Sequence, residues 1–338
     1  MARRLGLDRV RSTDAFVPWL EERLSREPAP LYVDEPRRPE TTGAPPGMPP
    51  LAGSLTLWHR ALSETFPGAR IESALDVLVE LRWRKSPREV AVLRENARAT
   101  VRALRAAAGR IGPGTTQRRA EAAVVSACLE SGAQGPSFWP WTMSGPNATV
   151  DRLVRSFFDY EHLDRVMEPG DLVRVDIGCA GGGYGADVGR TLPVSGRFEG
   201  AQAEVWDLLV EGYLAGLDAM APGVSLSEVR AASRARIRGL APELESDAAR
   251  EAARLLDDDG SWHAHGVGVE SGEEAMAVLR EGSVLAYEPM VAVDRDAFYL
   301  EDMIAVTGDG HEVLSAGLPY RSGEIARLME GSRSGGAR

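Results

Sequence analysis

The stretch Leu172-Val173-Arg174-Val175-Asp176-Ile177-Gly178-Cys179-Ala180-Gly181-Gly182-Gly183-Tyr184-Gly185-Ala186-Asp187-Val188-Gly189-Arg190-Thr191 decides the fold. Apolar runs on both sides of a glycine-rich middle read as strand, turn, strand. A turn centred on Gly181-Gly182 sets Asp176 opposite Asp187. Directly opposed side chains in a hairpin have Cβ atoms roughly 5 Å apart, and like charges there repel. Such a pair needs a cation or a shared proton, unless the two are ordinary turn-flanking acids.

A second hairpin repeats the arrangement. Val284 to Val291 and Ala297 to Ile304 flank a turn at Asp294-Arg295, which sets Glu288 opposite Glu301. Each acid interrupts an apolar strand, where an unpaired charge is costly. Between the hairpins lies Trp262-His263-Ala264-His265-Gly266-Val267-Gly268-Val269-Glu270, holding two of the five histidines. Alone, His265 reads rather as a polar strand end. With four carboxylates it completes an oxygen-rich, five-ligand set that suits two divalent ions of the Mn, Co, Fe or Zn type.

Working outward, 338 residues suggest about two domains. A net charge of -11 argues against non-specific binding to nucleic acid or to an anionic membrane. Cys128 and Cys179 cannot make a disulfide framework and are too few for a Cys-rich zinc site. Cys128 sits in a helical apolar pattern and reads as core. Strand alternation puts Cys179 on the face opposite Asp176. With no apolar h-region at the N-terminus and no long apolar stretch, a soluble chain in a reducing, cytoplasmic compartment is expected.

Residues 1–85 read as a small or incomplete domain. It has strand-like runs at Leu31-Tyr32-Val33 and Val77-Leu78-Val79, a helix over SLTLWHRALSETF and a Pro/Gly-rich stretch at 41–53. A boundary falls at Lys85-Ser86-Pro87-Arg88-Glu89, where Ser86 and Glu89 form a capping box. Leu93, Ala97, Val101, Leu104 and Ala108 then follow the helical period as far as Gly112-Pro113-Gly114. The same order of helix, Pro-Gly turn and helix recurs around Ala221-Pro222-Gly223, so two similar α+β halves with a cleft between them are expected. Residues 86–330 form the main domain and 331–338 a flexible tail. Residues 178–183 are glycine-rich but precede a strand rather than a helix, which excludes a phosphate-cradling loop. Asp257-Asp258-Asp259-Gly260 reads as a solvated turn. Phe138-Trp139-Pro140-Trp141 reads as core or as a cleft wall.

At Val175-Asp176-Ile177-Gly178, Gly185-Ala186-Asp187 with Arg190-Thr191, His265-Gly266-Val267-Gly268, Glu288-Pro289 and Leu300-Glu301-Asp302 the chain resembles the pita-bread metallopeptidases: methionine aminopeptidase, prolidase and above all aminopeptidase P. The resemblance covers about 86–330 and implies an α+β pita-bread (creatinase/aminopeptidase) fold behind a shortened N-terminal α/β domain. It implies two divalent metal ions, manganese first and Co, Fe or Zn as alternatives. Asp176 would chelate one ion, Asp187 and Glu301 would bridge both, and His265 and Glu288 would complete the other shell. A hydroxide between the ions would attack an amide carbonyl, with Glu288 relaying the proton. A homodimer is also implied.

Three positions depart from the family pattern. Where the segment Gly145-Pro146-Asn147-Ala148 normally runs on to a substrate-contacting histidine, Arg152 stands. The second active-site histidine is replaced within Ser271-Gly272-Glu273, and an arginine two residues before the last glutamate is Tyr299. Arg152, Tyr299 and His263, with His162 as a further candidate, are therefore the expected substrate contacts. The expected activity is a metallopeptidase-like hydrolase of the Xaa-Pro aminopeptidase/prolidase type with altered specificity, acting on a peptide or small amide. The alternatives are a scaffold repurposed for small-molecule C–N cleavage or iron-dependent oxidation, and a non-catalytic binding module.

Overall fold

The structure, a computed structural model, describes residues 8–26, 30–33, 54–149 and 164–335. The loop expected over 41–53, the residues Arg152 and His162, and the end of the expected tail lie outside them. The chain forms two compact units, Met1–Glu80 and Leu81–Arg338.

The first unit carries α1 (Phe16–Arg26), β1 (Leu31–Val33), α2 (Ser54–Thr65) and β2 (Ile71–Ser73), followed by α3 (Leu75–Trp83). β1 and β2 pair in parallel, and Leu20, Leu62 and Phe66 form a small core. Val77-Leu78-Val79, expected as a strand, is helical within α3. The Ser73 hydroxyl accepts a hydrogen bond from the Leu75 amide at 3.2 Å, starting the helix, and Val77 turns outward while Leu75 is buried. A run of three apolar residues does not by itself separate strand from helix.

The second unit opens with α4 (Pro87–Ala108), where both halves of the Ser86/Glu89 capping box form, and α5 (Gln117–Glu130). The five apolar positions expected to recur along α4 are all buried. Next come β3 (Gly135–Pro136), β4 (Trp141–Ser144), β5 (Leu172–Ile177), β6 (Cys179–Ala180) and β7 (Val188–Pro193). Then follow α6 (Gln202–Asp218), α7 (Leu226–Leu240), α8 (Asp247–Leu256), β8 (Trp262–Gly266), β9 (Val284–Val293), β10 (Asp296–Val306), β11 (His311–Val313) and α9 (Ser322–Gly335). One antiparallel sheet runs β4-β5-β7-β10-β9-β8, with β11 beside β10, while β3 and β6 pair separately. Val173, Val175 and Ile177 of β5 join a single core with Leu93, Ala97 and Leu104 of α4 and with Leu209 and Tyr213 of α6. The opposite face of the strands is left for the acids.

The hairpin registers differ from expectation in one case. β9 and β10 pair as read, with Val293 against Asp296 and Asp294 at φ 55, a left-handed conformation aspartate tolerates. β5 and β7, however, set Asp176 against Gly189, not Asp187. The turn centres on Gly182-Gly183, at φ 62 and 82, because a two-residue type I′ turn needs positive φ at both central positions. Moving the centre by one residue moves the partner by two. Asp187 therefore sits diagonal to Asp176, still on the same face.

The cysteines also depart from their reading as separate thiols: Cys128 of α5 and Cys179 of β6 form a disulfide with Cα atoms 5.4 Å apart. Alternation does turn Cys179 away from Asp176, toward the helical layer. Sequence separation hides the fact that α5 presents Cys128 there.

Candidate metal centre

Five side chains converge on the open face of the sheet. Asp176 comes from β5, Asp187 from the segment entering β7, His265 from β8, Glu288 from β9 and Glu301 from β10. In chain order the first two follow α4 and α5, and the other three follow α6, α7 and α8. Ligand atoms of Asp187, His265 and Glu301 lie within 4.8 Å of one another. His265 Nε2 stands 3.8 Å from Asp187 Oδ2, 3.4 Å from Glu288 Oε1 and 3.7 Å from Glu301 Oε1. Its Nδ1 faces the Gly266 carbonyl at 2.9 Å, which orients the ring with Nε2 toward the acids.

The electrostatics are those of crowded, dry carboxylates. Burial pushes Asp187 well above the usual range, and the charges of Glu301, Asp176 and Glu288 add to the push. Asp176 is raised by burial despite the Arg174 guanidinium beside it, and burial with the neighbouring acids takes Glu301 to about 7. Glu288 goes the other way: burial opposes its charge, but contacts with His263, His265 and Arg174 outweigh that and hold it low. Burial works against a charged His265, yet Glu301 and Glu288 raise it to about 9.

The donor set fits a divalent cation. Among the described residues Asp187 Oδ1 and Glu301 Oε1 are buried without a hydrogen-bond partner, an arrangement that is costly for a carboxylate unless a cation completes it. The adjacent acid supplies the contrast. Asp302, on the other face of β10, accepts hydrogen bonds from Arg190 Nη2 at 3.0 and 2.9 Å, Tyr213 at 3.0 Å, Ser315 at 2.6 Å and Tyr320 at 3.0 Å. Arg190 also donates to the Glu301 carbonyl through Nη1 at 2.6 Å, so this saturated network fixes the backbone of the unsaturated residue.

The cleft above the acids encloses about 570 Å³ and is walled by Phe138, Trp139 and Trp141, with Ser271 and Gly272 at one side. Trp139 is 59% exposed and stands at the rim. His263 is also largely exposed and hydrogen-bonds Glu288 Oε1 through Nδ1. Tyr299 is buried, and its hydroxyl lies 3.0 Å from Glu288 Oε2 and 2.7 Å from Glu301 Oε2. The ring fills space left by Gly189, where a Cβ would lie 2.1 Å from Tyr299 Cε1. Sequence reasoning passes over Arg174, although an arginine two residues before Asp176 in an apolar strand must share its face.

The family model for metallopeptidase family M24 matches residues 91–308. The chain belongs to metallopeptidase family M24. It is 31% identical to Escherichia coli Xaa-Pro aminopeptidase over 279 residues, covering 76% of this chain and 62% of that protein. It is 26% identical to the Xaa-Pro dipeptidase of Pyrococcus horikoshii over 317 residues, covering 90% of this chain and 84% of that protein. A solved Escherichia coli aminopeptidase P superposes with a TM-score of 0.75 at 25% identity, covering 98% of this chain and 77% of that one. The α+β pita-bread fold of the M24 family is thus the fold of this chain, which spans less than two thirds of the length of the Escherichia coli aminopeptidase by sequence.

Proposed function

We propose that this M24 protein is a divalent-metal-dependent hydrolase that cleaves an amide bond at the N-terminal end of a peptide, with a specificity other than ordinary Xaa-Pro cleavage. One observation carries the reading. Asp187 and Glu301 each direct a buried oxygen with no partner among the described residues into a cluster completed by His265, at the base of a cleft also lined by Asp176 and Glu288. The relatedness to an Xaa-Pro aminopeptidase and an Xaa-Pro dipeptidase supports the hydrolytic reading.

Asp176, Asp187, His265, Glu288 and Glu301 would hold the metal, and manganese is the ion proposed. Divalent ions bound there supply Lewis acidity and make water a stronger acid. The protein groups do the rest. Glu288, kept ionised by His263, His265 and Arg174, accepts the nucleophile's proton at Oε1. His263 hydrogen-bonds that same oxygen from the exposed rim and gives the proton a route to solvent. The aromatic wall of Phe138, Trp139 and Trp141 favours an apolar group beside the scissile bond.

A small-molecule amide is the second reading. It is favoured by Gly272, which offers no side chain to the cleft, and by Tyr299, whose hydroxyl is occupied by two glutamates. Mass spectrometry of a defined peptide library, including Xaa-Pro peptides, incubated with manganese-loaded protein beside a chelated control, separates the two. Metal-dependent loss of N-terminal residues supports the peptidase. No cleavage of any peptide by demonstrably metal-loaded protein excludes it and leaves the small-amide reading.

A further inference from the structure

We infer that Arg174 and Tyr299 act as one positioning unit. Together they hold the outer oxygens of Asp176, Glu288 and Glu301, which leaves the inner oxygens of Asp176 and Glu301 for a metal ion and Glu288 Oε1 facing His263. The two residues lie in one row across three strands. Arg174 pairs with Thr191, and Thr191 Oγ1 accepts from the Tyr299 amide at 2.8 Å. The row ends at Met290, which pairs with Tyr299 and lies 3.1 Å through Sδ from Arg174 Nη1. The guanidinium stacks 3.8 Å from the centre of the Tyr299 ring. The space that makes this possible is the missing side chain of Gly189.

From that stack each residue reaches different acids. Arg174 Nη2 donates to Asp176 Oδ2 at 2.9 Å, and the single Tyr299 hydroxyl proton serves Glu301 Oε2 and Glu288 Oε2. Glu301 is thereby left with Oε1 unpartnered among the described residues, the atom that lies 3.7 Å from His265 Nε2. Arg174 itself is 3% exposed and keeps a buried Nε that has no partner among the described residues. A buried arginine that leaves one donor unsatisfied is a poor packing choice. Its planar group nevertheless stacks on a ring and donates to a carboxylate at once, as lysine cannot.

The inference rests on the centre being a metal site and is independent of what the protein cleaves. Its test uses the whole chain with Arg174→Met, Tyr299→Phe, the double variant, and the relocation variant Arg174→Leu/Tyr299→Arg, which returns a guanidinium to the same row from the other strand. Mn²⁺ affinity is read by calorimetric titration, ligand geometry by the visible spectrum of the Co²⁺-loaded protein, and folding by thermal melting without metal. Each single variant is expected to weaken Mn²⁺ binding at least tenfold and to alter the Co²⁺ spectrum, with Tyr299→Phe melting near the wild type and Arg174→Met melting lower but still cooperatively, since it breaks the buried pair with Asp176. The double variant should be no more than threefold worse than the poorer single one, and relocation should bind more tightly than Arg174→Met. Additive losses, unchanged affinity in folded single variants, or failure of relocation to recover affinity each overturn the proposal. A wild-type chain that binds no divalent ion overturns the metal reading and this proposal with it.

Discussion

Replacing Lys85 with methionine should destabilise the second unit and loosen the segment that follows His265. Lys85 Nζ meets Glu273 Oε2 at 2.8 Å with the two side chains only 2% and 4% exposed. Glu273 Oε1 accepts from the Val269 amide at 2.8 Å, and the Glu273 backbone pairs in both directions with Gly266, next to His265. Removing one partner of a buried ion pair leaves the other charge uncompensated, which costs about 3–5 kcal/mol. For a unit of this size that corresponds to a fall in Tm of roughly 6–20 °C. Burial lowers the Lys85 pKa despite the attraction of Glu273, so desolvation outweighs the pairing and the intact pair contributes little net stability. Lys85→Met/Glu273→Gln should therefore recover most of the loss, ending within about 1–2 kcal/mol of the wild type, because glutamine can still accept from Val269. Urea unfolding followed by fluorescence of the buried Trp83, Trp206 and Trp262 measures both variants. A single variant within about 1 kcal/mol of the wild type, or a double variant as unstable as the single, would refute this reasoning.

Asp187→Ala should abolish metal binding by plasma mass spectrometry. The metal-free variant should melt no lower than the metal-free wild type, because it loses a buried acid that Glu301 repels. Gly189→Ala drives a methyl into the Tyr299 ring, so overpacking of about 1–3 kcal/mol is expected in urea unfolding, with weaker Mn²⁺ binding in titration. The Cys128–Cys179 bridge closes a loop with a sequence separation of 51, and its reduction should lower stability by up to about 4 kcal/mol in the chain-entropy model, measured as melts with and without dithiothreitol. Chelating the metal from protein kept in free Mn²⁺ at a hundred times the Kd for that ion should remove about 2.7 kcal/mol of stability, visible as a fall in Tm.

The candidate site is more legible than its scaffold because each candidate ligand lies in a short motif, and in the second hairpin a nearby turn also fixes the partner. Glu288 and Glu301 could be set opposite each other because Asp294-Arg295 admits one tight turn between long strands. The first hairpin could not be registered in the same way. Glycines at 181, 182, 183 and 185 allow several turns, and only the left-handed geometry at Gly182-Gly183 selects one. The disulfide, the Lys85–Glu273 pair and the Arg190–Asp302 network each join residues more than 50 positions apart, which no local period reports. Arg174 differs: its alternation with Asp176 was visible, but its stacking partner comes from β10, two strands away.

Glu301 and Asp302 show how the fold divides these tasks. They are neighbours in sequence, both fully buried, and strand alternation sends them to opposite faces. Asp302 points into the helical layer, where an arginine, two tyrosines and a serine saturate its oxygens. Glu301 points at three other acids and keeps one oxygen with no partner among the described residues. A buried carboxylate held by donors rigidifies the chain around it, whereas one left open raises its own pKa and waits for a cation. The saturated side is what makes the open side tolerable, because Arg190 binds both the Asp302 carboxylate and the Glu301 carbonyl, so Glu301 cannot swing away to find water. On that account, Asp302→Asn should disturb metal affinity through the backbone of Glu301, while Asp187→Ala removes a ligand outright. The first should show the larger loss of stability and the second the larger loss of metal.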